Sequence, residues 1–284
     1  AKDSLEKNIL KVLRHPTVGS KQFLITIGDR TVGGLIARDQ MVGKYQVPTS
    51  NYSMVNDSFT EYHGEAISMG EKPSIAISNP SASMRMALAE SIFNLMSAPI
   101  KSLDRVVLSA NWMAACGSNK DDLALRDGVE ALSKICCELD ISIPVGKDSL
   151  SMRSKWVEEG QNFEVKSPLT GVISAMAPVI DTRLAITTEL ESSSHDLYYI
   201  KLSDYQRMGG SILALIEDQL SLETPDVENA KQIRELFNLI QNEILNKKIT
   251  ALHDISDGGM LAALCELSFT NKVGLDIFLS TSDD

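Results

Sequence analysis

Leu252-His253-Asp254-Ile255-Ser256-Asp257-Gly258-Gly259 runs straight into Met260-Leu261-Ala262-Ala263-Leu264-Cys265-Glu266-Leu267. The stretch reads as an apolar strand ending in two carboxylates and a hydroxyl, then a glycine pair that turns the backbone, then a helix. Strand, turn and helix in that order belong to an α/β chain. Backbone N–H groups at a helix N-terminus attract anions, and glycines admit a phosphate without a Cβ in the way. Carboxylates beside such a turn can hold the divalent cation that accompanies a nucleotide polyphosphate. A plainer reading stands beside this one: Asp257 caps the helix and Asp254 is a solvated strand end.

Working back from that turn, a helix capped near Asp226 carries Ile233, Leu236, Phe237, Ile240 and Ile244 on one face. The unit containing it starts at Leu197-Tyr198-Tyr199-Ile200. Before it, Glu189-Leu190-Glu191-Ser192-Ser193-Ser194-His195 is polar and without period, so a boundary is expected within 187–196. The first unit alternates strands and helices. Phe23–Ile27 and Thr31–Ala37 read as paired strands about a turn at Gly28-Asp29-Arg30. Ser74–Ile77, Arg105–Ala110, Ile141–Val145 and Gly171–Ala177 read as further strands. One helix presents Met84, Leu88, Ile92, Leu95 and Met96, another Leu125, Val129, Leu132 and Cys136. The fold expected is mixed α/β, in two domains that meet within 187–196.

The 284 residues leave room for two cores, and 43% hydrophobic with 23% charged residues is the balance of a globular protein. A net charge of −11 argues against nucleic acid and anionic membranes as partners. Cys116, Cys136, Cys137 and Cys265 form no CxxC pair, which points to a reducing cytoplasm. The opening Ala1-Lys2-Asp3 and the closing Ser282-Asp283-Asp284 suggest an excised piece of a larger protein.

Three further groups could carry chemistry. Glu90 and Asn94 stand at i and i+4, away from the Leu88/Ile92 stripe, as a pair of hard-oxygen ligands for Mg²⁺ or as a solvated helix face. Arg38-Asp39-Gln40-Met41-Val42-Gly43-Lys44 follows a strand and offers cations and flexible backbone to a phosphate, without the spacing of a P-loop. Gly146-Lys147-Asp148-Ser149 offers one cation, one anion and one hydroxyl, or is an ordinary β-turn. The four histidines are scattered and no Cys/His spacing suits zinc. His253 reads as a strand-end histidine satisfied by the backbone, or as a residue supporting Asp254.

Taken in order, Ile27–Val32, Ala37–Gly43, Leu108–Ala115, Ile143–Ser149 and the 252–259 turn resemble the phosphoribosylformylglycinamidine synthases of the large, single-chain type, enzymes of purine biosynthesis. The resemblance spans nearly the whole chain. It places the chain in the second of two related synthetase halves, within the aminoimidazole ribonucleotide synthetase-like superfamily. A mixed-sheet pairing domain over residues 1–188 would be followed by a truncated α/β domain over 189–284. The first half and a glutaminase with Cys-His-Glu machinery would lie outside this chain.

The resemblance implies an ATP-dependent amidation: ATP phosphorylates the amide oxygen of formylglycinamide ribonucleotide, and ammonia from glutamine displaces the phosphate. It implies Mg²⁺ and ATP or ADP as cofactors, with Glu90, Asn94 and Asp254 as metal ligands. Ser256 would contact the nucleotide and Ser50 would offer its backbone carbonyl. Asn51 stands where the family has an aspartate ligand. Arg38, Asp39, Gln40 and Gly43 would face the catalytic cleft, with Lys147, Asp148 and Ser149 as further candidates. Two other readings accompany this one: a nucleotide-clamped scaffold without turnover of its own, and another enzyme of the superfamily. A homodimer is expected in place of the absent half.

Overall fold

The structure, a computed structural model, describes residues 3–28, 30–31, 33–191 and 196–278. Helices α1 (Leu5–Arg14) and α2 (Gln22–Ile27) precede strands β1 (Ile36–Arg38), β2 (Tyr52–Asn56) and β3 (Gly64–Gly70). Then come α3 (Pro73–Ala76), α4 (Pro80–Leu95), β4 (Val107–Met113), α5 (Asn119–Leu139) and β5 (Ser142–Ser149). A hairpin of β6 (Arg153–Glu158) and β7 (Gln161–Lys166) leads to β8 (Thr170–Val179). The chain closes with α6 (Ile212–Ile216), α7 (Ala230–Leu245) and α8 (Gly259–Asn271).

Six strands form one mixed sheet in the order β1-β2-β3-β8-β4-β5, in which only the β4–β5 pair is parallel. The strict alternation of β3 buries Ala66 and Ser68 on one face and leaves Ile67 and Met69 on the other. The buried face is covered by α4. Asn79 caps that helix by accepting from the Ala82 N–H, and Pro80 fits its first turn. Buried positions run nearly all round α4, including Met84, Leu88, Ile92 and Leu95, because α4 is sandwiched between the sheet and other elements. The apolar stripe of α7 (Ile233, Phe237, Ile240, Ile244) joins the same continuous core. Gln241 ties it there: its Oε1 accepts from the Ile100 N–H and its Nε2 donates to the Met96 carbonyl, both at 2.8 Å.

Several local expectations change. Phe23–Ile27 lies in α2 and is not a strand; it has no partner strand, and a helix satisfies its own backbone where a lone strand cannot. The expected partner at 31–37 shortens to β1, and Asp29 and Val32 lie outside the described residues. Ser74–Ile77 belongs to the short helix α3 and the turn after it, started by Pro73. Residues 146–149 continue β5 instead of turning, since β4 supplies a full parallel ladder from Ala110 to Met113. No strand forms at 252–254; a single parallel bridge, Thr187 to Ala251, stands in for it. The inward face of α5 is rotated toward Gly128, Ala131 and Ile135, leaving Val129 exposed. The cap of α7 is Asn229; Asp226 instead holds Arg85 of α4 in a two-pronged ion pair.

Candidate functional site

Two backbone features create the site. The first is the end of β3. A Cβ on Gly70 would stand 2.2 Å from the Ala87 carbonyl oxygen and 2.5 Å from the Ser91 nitrogen, so only glycine lets the strand end lie against α4. That contact brings the Glu71 N–H to 2.7 Å from Glu90 Oε2. Lys72 follows, its carbonyl accepting from Ser83 Oγ of α4 at 2.6 Å. The second feature is the glycine pair of the 252–259 stretch. Gly258 (φ +90°) and Gly259 (φ +69°) both lie in the left-handed region, and α8 begins there as the sequence suggests. The turn carries Ser256 and Asp257 onto Lys72.

The result is a compact, buried polar cluster. Lys72 Nζ donates to Glu90 Oε1 and, at 2.9 Å, to Ser256 Oγ; Ser256 Oγ in turn donates to Glu90 Oε1. Asp257 Oδ2 lies 3.8 Å from the same ammonium, so this residue is an ion-pair partner and not a helix cap. Lys72 is only 7% exposed. Burial would pull its pKa down, but the negative charges of Glu90 and Asp257, with Asp254 behind them, hold it above the ordinary lysine value. Burial likewise pushes the Glu90 carboxyl up. We take the pair as ionised, because three donors converge on the Glu90 carboxylate and favour its charged form.

Beside it, Asp254 is buried and not a solvated strand end. Its Oδ1 lies 3.1 Å from His253 Nδ1, while His253 Nε2 lies 2.7 Å from Glu266 Oε2 of α8. Burial alone would lower the imidazole pKa, but hydrogen bonds to Asp254 and Glu266 outweigh it and raise it to about 9. His253 is therefore gripped by two carboxylates, against the commoner expectation of a backbone-satisfied histidine. Glu71, Glu90, Asp254, Asp257 and Glu266 together face two cations, Lys72 and His253. An excess of carboxylate of this kind attracts a further cation.

The residues fit Mg²⁺ in chemistry, with one condition. Carboxylate, amide and hydroxyl oxygens are hard donors of the right type. Asn94 sits one turn beyond Glu90, its Nδ2 donating to the Met69 carbonyl at 2.9 Å. Asn51 brings a buried Nδ2 that finds no acceptor among the described residues. The condition is Lys72, which already bonds Glu90. Consistent with that, no three His, Cys, Asp or Glu side chains come together as a metal cage among the described residues.

Of the residues singled out in the sequence, Glu90, Asp254 and Ser256 are thus brought together. Ser50 and Asn51 come just before β2, whose first residue Tyr52 pairs with Ser68 near the end of β3; Ser50 donates from Oγ to the Tyr52 carbonyl and its N–H reaches the Gln40 carbonyl at 3.4 Å. In the loop after β1, Asp39 pairs with Arg30 and accepts from the Met41 N–H. These contacts outweigh burial and hold its carboxyl below the usual range. Arg38 and Asp39 line a shallow depression with Thr31, Gly34, Ile36 and Met41. Gly43 takes φ +67°; Gln46 donates from Nε2 to the Gly43 carbonyl and accepts from Arg30, which lies before β1. Lys147 donates to Ser149 Oγ at 2.7 Å on the edge strand β5, with Asp148 exposed between them. Lys72 is not singled out by the sequence, and Asp257 enters there only as one of the turn's two carboxylates or as a helix cap. Glu71-Lys72-Pro73, a charge pair closing a strand, is the weak signal that could have drawn attention to Lys72.

Comparison with known proteins agrees with this architecture. Residues 20–178 match the family described as the FGAR-AT PurM_N-like domain, and residues 196–283 match the AIR synthase related protein, C-terminal domain. Among solved structures, Thermotoga maritima PurL complexed with FGAR aligns with 95% of this chain and 40% of its own length, at 10% identity and a TM-score of 0.63. T. maritima PurLQS aligns with 59% of this chain and 25% of its own, at 15% identity and a TM-score of 0.44. The chain therefore spans between a quarter and two fifths of these two T. maritima structures. The first of these likenesses supports the fold alone. By the match over more than half of its length, the chain belongs to the FGAR-AT PurM_N-like domain family.

Proposed function

We propose that this chain forms one wall of a Mg²⁺–nucleotide site in an ATP-dependent C–N ligase. The reaction would convert formylglycinamide ribonucleotide to its amidine with ammonia derived from glutamine. The observation that carries the reading is the cluster joining Glu90 of α4 to Ser256 of the glycine turn. Two segments far apart in sequence converge there in a part-buried, carboxylate-rich cluster at the start of α8. The family membership and the likeness in fold to T. maritima PurL complexed with FGAR support it.

In this proposal Glu90, Asn94 and Asp254, with Asn51, hold Mg²⁺. When bound, the ion offsets the negative charge of a polyphosphate. Ser256 and the Ser50 carbonyl orient the nucleotide, and His253 and Glu266 fix the Asp254 carboxylate. Arg38, Asp39, Gln40 and Gly43 contribute to the cleft where phosphoryl transfer takes place, with Lys147, Asp148 and Ser149 nearer the sheet edge. Positioning and electrostatic stabilisation carry such a reaction. Domains over 1–188 and 189–284 each supply part of that wall.

Assembly forms part of the proposal. Ile67, Met176 and Val107 stand in one row across β3, β8 and β4, on the sheet face that α4 does not cover. We propose that this face meets a related half in the whole enzyme, and a second copy in its absence. A single species of monomer mass by light scattering at micromolar concentration refutes the dimer.

The Glu90 side chain, only 11% exposed, favours one further reading, a nucleotide-clamped scaffold without turnover of its own. Two measurements test these ideas. Glu90→Ala and Asp254→Ala should abolish the thermal stabilisation given by ADP with Mg²⁺; unchanged stabilisation sinks the site. ATP hydrolysis dependent on formylglycinamide ribonucleotide and ammonium should be absent from the chain alone, and activity above background removes the scaffold reading.

A further inference from the structure

We infer that Lys72 is a built-in cation of the pocket, which has to leave Glu90 before a divalent ion can enter, and that a nucleotide's polyphosphate draws it away. The inference deepens the nucleotide reading above and rests on it.

The argument starts from shared oxygens. The Lys72 ammonium bonds Glu90 Oε1 and Ser256 Oγ and lies 3.8 Å from Asp257 Oδ2. Glu90 and Asp254, which also acts electrostatically on Lys72, are the carboxylates a hard cation would use. An ammonium and a divalent ion cannot share one carboxylate without strong mutual repulsion in a desolvated site. Lysine can resolve the conflict by moving, since its charge rides on a flexible four-carbon stem. Its backbone, by contrast, is fixed by Ser83 Oγ and by the adjoining Glu71 N–H bond to Glu90. The ammonium can therefore leave Glu90 while remaining beside the start of α8. A phosphate there would replace the partner it gives up.

Two consequences follow. Without nucleotide, Lys72 suppresses divalent-ion binding. With nucleotide, ion and phosphate bind together, each favouring the other through the same lysine.

The test uses the whole chain with three probes, Mg²⁺ alone, ADP alone and both, followed by thermal shift. Lys72→Gln should lower the Mg²⁺ concentration giving half the shift without nucleotide by about five- to tenfold, and weaken ADP binding at saturating Mg²⁺. Lys72→Arg, which keeps the charge, should leave Mg²⁺ binding as in the parent chain. A second readout needs no variant: acetylation of Lys72, followed by mass spectrometry, should speed up severalfold between chelator and saturating Mg²⁺. Unchanged Mg²⁺ affinity in Lys72→Gln, or unchanged acetylation where the thermal shift proves Mg²⁺ bound, overturns the inference alone, provided Mg–ADP still stabilises the parent and not Glu90→Ala. If Mg–ADP stabilises neither the parent nor any variant, the nucleotide reading fails and the inference falls with it.

Discussion

Gln241→Leu tests whether α7 and the end of α4 form one unit. Gln241 is 5% exposed, and both ends of its amide serve backbone groups of the segment after α4: Ile100 N–H and Met96 C=O, each at 2.8 Å. Leucine has a similar volume, so little packing is lost, but both bonds are. Each buried polar group left unpaired costs roughly 1–3 kcal/mol, so the expected destabilisation is about 2–5 kcal/mol. For a chain of this size that corresponds to a fall in Tm of about 5–15 °C. The assay is thermal unfolding by circular dichroism, supported by urea denaturation with an unchanged m-value. A change below about 0.5 kcal/mol, the level of a neutral surface substitution, refutes the clamp and with it the close seating of α7.

Other expectations are more local. Gly70→Ala should lower Tm by several degrees, since its Cβ would overlap the α4 backbone at Ala87 and Ser91; a parent-like Tm would show that β3 can draw back without cost. Iodoacetamide at pH 8 should label the exposed Cys137 and spare its buried neighbour Cys136, whose thiol burial pushes up to about 12; equal labelling by peptide mass spectrometry contradicts the seating of α5. The hydrogen bond from Arg183 to Asp181 outweighs the opposing effect of burial and holds that carboxyl down at about 2. Its folded value lies below the ordinary 3.8, so its stabilisation is present above that pH and lost as pH falls through 2. Asp181→Asn should therefore flatten the acid limb of stability against pH, and an unaltered limb means that the ion pair does not persist in solution.

How much of this could be read from residues alone depends on what fixes each element. Helices α4 and α7 and strands β4 and β8 are set by burial, and burial writes its period into the sequence: Met84, Leu88, Ile92 and Leu95, or Ile233, Phe237, Ile240 and Ile244. Phe23–Ile27 has the composition of a strand, but a strand also needs a neighbour, and composition does not supply one. The β6–β7 hairpin lies outside the strands read from the sequence, although it carries a signal. Glu159 and Gly160 both take positive φ between runs that pair Trp156 with Phe163, the pattern of a two-residue turn. In the site, Asp254 and Ser256 announce themselves beside a glycine pair. Glu90 needs its distant partner before it stands out from any other helical glutamate. Lys72 carries no periodic mark at all, because its role depends on contacts 18 and 184 residues away.

The position of β8 has a consequence for the order in which the molecule can form. It is the last strand of the sheet in sequence, yet it lies between β3 and β4 and pairs with both. Until Thr170–Val179 has left the ribosome, β1–β3 and β4–β5 can exist only as separate fragments with unpaired edges, and α4 has no complete surface to settle on. Pairing Gly64 with Val179 closes a loop of more than a hundred residues, an entropic cost borne before the gain from the core is complete. Nascent chains stalled short of residue 179 should therefore stay protease-sensitive and chaperone-bound, and protection should arrive as one late step.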